Sequence, residues 1–257
     1  MLIVERQDHL LETLRRQGVA QLEELARELD VSVSTVRRDL ETMERRGIVE
    51  RTHGGAIYRG EPSEPPGGGE PASTPLSARM NEHVAQKQAI GRAAAAMVQP
   101  HMTLLLDGGS TVIYAARQII ARPLQVVTNS LSIANHFADQ EDVELLLVGG
   151  SFYPRTGVTF GPIATGSLAD LHADLLFYSL AGIYSEEAYN INLVMAEVEQ
   201  VMMRQAAQSV MLMDSSKFGR KSLVRVCGLA EVHRIITDGG VGEEWRQQLG
   251  ERLVVAE

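Results

Sequence analysis

The feature that most limits what this chain can fold into is a set of six continuous apolar runs, each closed by small polar residues. They are "TLLLDGGST", "LQVVTNS", "VELLLVGGS", "DLLFYSLAGI", "SVMLMDSSK" and "RIITDGG", spread between positions 103 and 240. Strands that are apolar on both sides must be covered on both sides, and the stretches between the runs carry helical spacing. The pattern predicts a mostly parallel α/β sheet with helices on both faces. With 257 residues, 44% of them hydrophobic, the chain has enough apolar surface for such a core and for a smaller domain beside it.

In an open α/β sheet a ligand lies beyond the carboxyl ends of the strands. The polar run ends Asp107, Gly108, Gly109, Ser110 and Thr111, then Thr128, Asn129 and Ser130, then Gly149, Gly150 and Ser151, and finally Asp214 to Lys217 are therefore expected to converge on one pocket. "DGGST" and "TNS" each feed a helix, where backbone N–H groups, hydroxyls and the helix dipole favour an anion such as phosphate, and Lys217 adds a full positive charge. Taken singly, these residues serve equally well as helix caps, tight turns and a solvated lysine. Neither G-x-G-x-x-G nor G-x-x-x-x-G-K-[ST] occurs, so the glycines give little support for a dinucleotide.

Residues 1–58 read differently. Leu10, Leu11 and Leu14 recur at helical spacing, as do Leu22, Leu25, Ala26 and Leu29 in "VAQLEELARELDV". A third helix starts after Ser32, a candidate N-cap, with Val33, Val36, Leu40 and Met43 on one face. The tight joint at Asp30 to Ser32 makes the last two helices a helix-turn-helix. The opposite face of the third helix presents Ser34, Arg38, Glu41 and Arg45, flanked by Thr35 and Arg37, a hydroxyl and guanidinium surface suited to the major groove. "GIVERTHGGAIY" then alternates apolar and polar residues around His53, Gly54 and Gly55, as a two-stranded wing whose tip follows phosphates would. A charged helical bundle that pairs with another protein is the alternative.

Charge narrows this further. The formal net charge is -9, and residues 1–58 hold nine arginines and no lysine against eleven acids, a net of -2. Sequence-blind nucleic-acid binding is thus disfavoured, and any DNA contact must be local. Residues 59–75, "RGEPSEPPGGGEPASTP", contain five prolines and four glycines and read as a flexible linker, followed by a larger domain over 76–257. The single cysteine, Cys227, excludes an internal disulfide and a cysteine-based zinc cluster, and the seven histidines are scattered, so neither a metal nor another cofactor is expected. With no apolar run near the roughly 20 residues that span a bilayer, no signal peptide, anchor or membrane partner is expected, and the cytoplasm is the expected compartment.

"STVRRDLETMERRGIVERTHGGA" resembles the amino-terminal signature of the DeoR family of bacterial transcriptional regulators, with its paired arginines, Asp-Leu, and an Arg-x-His-Gly-Gly-Ala wing that includes Arg51, His53 and Gly54. The likeness continues through "LSARMNEHVAQKQAIGRAAAAMV", with Arg79 and Lys87 at recurring basic positions. It extends to "LDGGST", which resembles the family's Asp-Ser-Gly-Thr-Thr, and to "VVTNSLSIA", "VGGSFYPRTGVTFGP", "DSSKFGR" and "ITD". The resemblance implies a winged helix-turn-helix joined to a sensor similar to sugar-phosphate isomerases. It implies operator DNA and a phosphorylated sugar or related effector as partners, repression of a carbohydrate-metabolism operon, and Asp107, Ser110, Thr111, Asn129, Arg155 and Lys217 as effector residues. Operator half-sites mirror protein symmetry, so a dimer or tetramer is expected.

"AGIYSEEAYNINLVMAEVE" departs from the family's glycine-rich turn and reads as a tyrosine- and asparagine-rich loop, leaving the effector's identity open. The likeness to isomerases keeps an enzyme in view, with Asp107, Asp214 or Glu197 as base and Lys217 as enediolate stabiliser. An interaction scaffold is the third class.

Overall fold

The computed structural model describes residues 6, 9, 10, 12–14, 18–29, 31–45, 49–52, 54–58 and 74–257, with the side chains of Thr42 and Arg45 outside the description. The chain divides into two compact units, Met1–Gly68 and Gly69–Glu257. Of the stretch read as a linker, only Thr74 and Pro75 lie among the described residues.

The first unit is a winged helix-turn-helix. Helix α1 is described at residues 6, 9, 10 and 12–14, and is followed by β1 (Val19–Gln21), α2 (Leu22–Glu28), α3 (Val33–Arg45), β2 (Val49–Arg51) and β3 (Gly55–Tyr58). Leu10, Leu14, Leu22, Leu25, Ala26, Val36, Leu40 and Met43 form its core, the faces that helical spacing assigns. Ser32 caps α3, its Oγ accepting from the Thr35 N–H at 3.2 Å. Asp39 is buried on α3 and accepts from Arg6 Nε at 2.6 Å, which ties α1 to the helix it packs on.

The wing is larger than the two strands expected. β1 joins it, giving the order β1-β3-β2. The Leu22 N–H donates to the Gly54 carbonyl at 2.9 Å, so the wing turn is fixed to the start of α2. A Cβ on Gly55 would stand 2.2 Å from the Ala20 carbonyl oxygen, which leaves glycine as the residue that fits.

The second unit is built on a seven-stranded sheet. Helices α4 (Leu76–Asn81) and α5 (Val84–Ala95) precede β4 (Thr103–Leu106), α6 (Ser110–Ala116), β5 (Leu124–Thr128), α7 (Leu131–Phe137) and β6 (Val143–Leu147). A hairpin of β7 (Ser151–Tyr153) and β8 (Val158–Phe160) leads to α8 (Pro162–Ala169) and β9 (Ala173–Tyr178). Next come β10 (Gly182–Tyr184), β11 (Glu187–Asn190), α9 (Leu193–Arg204), β12 (Ala206–Leu212), β13 (Val224–Gly228), β14 (Arg234–Asp238), α10 (Glu243–Leu249) and β15 (Leu253–Ala256).

The sheet runs β15-β14-β12-β9-β4-β5-β6, and every pairing in it is parallel. Alternate residues of the inner strands feed two separate cores, and the edge strand β6 feeds one. Leu105, Leu176, Met211 and Ile235 pack with Ala164, Leu168, Ala196, Met202 and Trp245 from α8, α9 and α10. Leu104, Phe177, Val210 and Ile236 pack with Ile90, Val112, Ile133 and Phe137 from α5, α6 and α7. All six apolar runs are strands of this sheet. β15 is a seventh, at the edge.

The stretch read as a tyrosine- and asparagine-rich loop is instead the β10–β11 hairpin, extended by β13 into an antiparallel sheet, and the first turns of α9. Asn192 is the N-cap of α9, accepting from Val194 N at 3.0 Å.

From β4 the chain winds outward through β5 to β6, and from β9 outward the other way through β12 and β14 to β15. The neighbours β4 and β9 therefore flank the point where the winding reverses, where such sheets open a crevice.

Gly55→Ala should destabilise the first unit by about 1–3 kcal/mol, the cost of forcing atoms into filled space. Hydrogen exchange of the full chain should show lost protection confined to residues 19–58. Unchanged protection there would mean that the wing tolerates a side chain.

Candidate operator-reading and effector sites

On α3 the residues expected at a DNA surface lie largely where the spacing put them. Ser34, Arg37 and Arg38 are exposed, and Thr35 is half-buried. Both hydroxyls are held by the cap: Ser32 Oγ is 2.8 Å from Ser34 Oγ and 2.8 Å from Thr35 Oγ1. Arg51 has a different setting. Its Nε donates to Glu44 at 2.7 Å and its Nη1 to Glu41 at 2.8 Å, so it fastens β2 to α3 and holds the Glu44 carboxyl below its ordinary range. Gly54 is exposed at the wing turn, while His53 and the Arg45 side chain lie outside the described residues.

In the second unit, the carboxyl ends of β4, β5 and β12 bring most of the expected effector residues into one neighbourhood. The Asp107 N–H donates to the Phe177 carbonyl at 3.0 Å, so β4 and β9 are still joined as they leave the sheet. Asp107 is buried, which pushes its carboxyl pKa up against N–H groups of Gly108, Ser179 and Gly109 and the charge of Arg79. A Cβ on Gly108 would meet Val158 Cγ1 at 2.1 Å, and one on Gly109 would meet Ser179 Cβ at 2.6 Å, so backbone alone fits this turn. Ser110, Thr111, Thr128, Asn129 and Ser130 are all buried. Thr128 Oγ1 donates to the Leu106 carbonyl at 2.6 Å and accepts from Ser130 N at 3.0 Å, locking the β5 turn to the end of β4. Ser130, not Asn129, caps α7.

Charge collects beside this turn. Lys217, in a short helical turn after β12, donates to the Leu180 carbonyl at 2.9 Å. Lys87 is buried at the α4–α5 corner, where its Nζ donates to the Arg79 carbonyl and to that of Glu82 at 2.8 Å. Burial and the neighbouring Lys217 charge depress its pKa to about 8, with Asp214 opposing. The burial of Asp214 opposes its ionisation but is outweighed by Ser216, Lys217, His83 and Lys87, which hold its pKa below the usual value.

The sequence pattern missed one member of the site. Glu197 is exposed, whereas Glu199 on the other side of α9 is buried at 4% exposure. Burial first, and then the charge of Asp107, push the Glu199 carboxyl well above its ordinary range, while Asn190 and Lys217 oppose. Glu199 is thus held towards its neutral form, and the charged groups around it are Arg79, Lys87 and Lys217 together with Asp107, Asp214 and Glu82. Three buried atoms in these segments have no hydrogen-bond partner: Thr111 Oγ1, Asn129 Oδ1 and Glu199 Oε2.

Gly149 and Gly150 are exposed, with Gly150 against Phe160 and Ala164. Arg155 is exposed on the β7–β8 turn, where its carbonyl accepts from Leu76 N at 2.9 Å. Among the described residues no group of three His, Cys, Asp or Glu is placed to hold a metal ion, and no helix is long and apolar enough to cross a membrane.

A winged helix-turn-helix followed by a parallel α/β unit with charged and polar residues gathered at its strand ends defines a two-part DNA-binding regulator. A family model for the DeoR-like helix-turn-helix domain matches residues 6–61, and one for the DeoR C terminal sensor domain matches residues 82–239. The chain belongs to the DeoR family. It is 33% identical over 234 residues to the L-fucose operon activator of Escherichia coli (strain K12), covering 91% of this chain and 94% of that protein. It is 31% identical over 240 residues to the putative aga operon transcriptional repressor of Escherichia coli O157:H7, covering 92% and 87%. With the transcriptional regulator UlaR of Shigella sonnei it shares 29% identity over 246 residues, covering 95% and 94%. Among solved structures, the ribose 5-phosphate isomerase of Methanocaldococcus jannaschii aligns with 51% of this chain and 53% of its own, at TM-score 0.37 and 16% identity, too distant a likeness to carry an argument.

The depressed Lys87 pKa sets a sign for pH dependence. Between about 8 and the ordinary lysine value of 10.5 the unfolded chain binds a proton that the folded chain has lost, so this group makes the fold more stable as pH rises. Urea denaturation at pH 7.5 and 9.5 should show the stability of wild type relative to Lys87→Met rising with pH. An equal change in both chains would place the Lys87 ammonium in water.

Proposed function

We propose that this chain is a cytoplasmic regulator that represses a carbohydrate-metabolism operon and answers to a phosphorylated sugar or related metabolite. The observation that carries the reading is the gathering of three cationic groups, Arg79, Lys87 and Lys217, beside the buried and unpartnered polar atoms that follow β4 and β5. An anionic group would meet the cations and a hydroxylated body the orphaned atoms. Fucose and aga operon regulators among the relatives support the carbohydrate connection.

In this reading residues 1–58 bind operator DNA, 59–75 are a flexible linker and 76–257 sense the effector. Ser34, Thr35, Arg37 and Arg38 face the operator, with Arg45, His53 and Gly54 flanking them. The chain works as a homo-oligomer, a dimer or tetramer, held by the sensor units. A soft linker carries no force, so the effector acts by favouring one spacing of the sensors, and thus of the DNA-binding heads, over another. Turnover is not part of the proposal. The relatives matched along nearly the whole chain are named as transcriptional regulators, which supports sensing over catalysis.

Operator titrations with and without sugar phosphates test both ends. Arg38→Ala should weaken operator binding by about 1–3 kcal/mol and relax the preference at one base pair, with a smaller loss on random DNA. Lys217→Ala should abolish the response to sugar phosphate while operator binding without it stays near wild type. Equal loss on operator and random DNA would remove base reading from Arg38. A full sugar-phosphate response in the Lys217 variant would remove that lysine from the effector site.

A further inference from the structure

Glu199 is held from behind and unpaired in front. Its Oε1 accepts from Asn190 Nδ2 at 2.5 Å, and Asn190 Oδ1 accepts from the Ile191 N–H at 2.6 Å, so the end of β11 fixes the carboxyl's orientation. Its Oε2 is buried without a partner, on a residue close enough to Asp107 and Lys217 to feel both charges. An unpaired buried polar atom is a cost that the fold carries unless something else completes it.

Of the six buried side-chain atoms without a partner among the described residues, two besides Glu199 Oε2 follow β4 and β5, Thr111 Oγ1 and Asn129 Oδ1, and they bear on the kind of molecule that completes the set. The Asn129 amide is oriented by its Nδ2, which donates to the Thr159 carbonyl at 3.1 Å, so its free atom is the Oδ1, an acceptor only. A fully ionised phosphate has no proton to give it. A ligand hydroxyl has one, and Thr111 Oγ1 suits the same chemistry because it both donates and accepts. Thr111 is 0% and Asn129 1% exposed, so neither atom's missing partner is bulk water.

We infer that Glu199 is a specificity-determining residue of the effector site, its Oε2 hydrogen-bonding an uncharged hydroxyl or carbonyl oxygen of the ligand while the ligand's anionic group lies towards Lys217. This rests on the site reading given under Proposed function. Burial holds the carboxyl towards its neutral form, so Glu199 brings a proton to share without repelling the anion nearby. Asn190 is the positioning residue behind it. The β10–β11 hairpin thereby orients, through Asn190, the α9 carboxyl that distinguishes one sugar from another.

Calorimetric titration of the full chain tests this with inorganic phosphate and a panel of aldose and ketose monophosphates of three to six carbons. Wild type is compared with Glu199→Gln, Glu199→Asp and Glu199→Leu. Glutamine keeps a neutral donor at the same reach, aspartate draws the acid back by one methylene, and leucine removes it. For the sugar phosphate that wild type binds best, the aspartate and leucine chains should lose about tenfold in affinity or more, a hydrogen bond's worth, and the glutamine chain should stay within about threefold. Inorganic phosphate should bind all four alike. The aspartate chain decides the matter if the leucine chain does not fold. Undiminished sugar-phosphate binding by the aspartate and leucine chains would overturn the role of Glu199 and leave the site standing, as would an equal loss for inorganic phosphate. A wild-type chain that binds no member of the panel would overturn the site reading, and this inference with it.

Discussion

Burial of both faces of the parallel sheet is the constraint from which the rest of the second unit follows. Leu104 and Leu105, neighbours on β4, enter different cores, one under α5 to α7 and the other under α8 to α10. Strands covered in this way gather most of their polar chemistry at their ends, while β6 at the edge keeps Leu146 and Leu147 exposed. The order of strands then decides which ends meet. Because the winding reverses between β4 and β9, the turn after β4 is flanked by those after β5 and β9, with that after β12 one strand further on. A glycine pair without room for side chains lets the β4 turn pack beneath Val158 and Ser179.

Among these strand ends burial acts on charge unevenly. Asp107 and Glu199 lie deep enough to be pushed towards neutrality, while Asp214 keeps its charge through Ser216 and the surrounding cations. Lys87 spans the corner between α4 and α5, grasping carbonyls of Arg79 and Glu82, so the helices that open the second unit are fastened beside these ends. The first unit uses its charges differently. Its buried or partly buried ion pairs, Arg6 with Asp39 and Arg51 with Glu41 and Glu44, hold helix and wing together, and its exposed arginines stand on α3.

Much of this was legible from residues. Continuous apolar runs are how doubly covered strands must read, and six of them gave six of the seven sheet strands. Leu10, Leu14, Leu22, Leu25, Val36, Leu40 and Met43 marked the helical core of the first unit by spacing alone. The misses share a physical cause: partners distant in sequence. β1 is three residues long with Val19 exposed, and becomes a strand only by pairing with Ile57 and Ala56. The β10–β11 segment looks too polar for a strand until Ala188 and Tyr189 find Cys227 and Arg225 on β13. Arg51 belonged to a wing motif, but only the fold brings Glu41 and Glu44 onto it. Glu199 lies two positions from Glu197, and nothing in the spacing says which one meets Asn190.

The account's central claim is that an anionic, hydroxylated effector lies beyond the ends of β4, β5 and β12. The position of the phosphate in a crystal of the full chain grown with a sugar phosphate tests it most directly. The account predicts phosphorus density within reach of Lys217, with the sugar hydroxyls against Thr111, Asn129 and Glu199. A sugar phosphate bound elsewhere, with those three atoms still unpartnered, would contradict it.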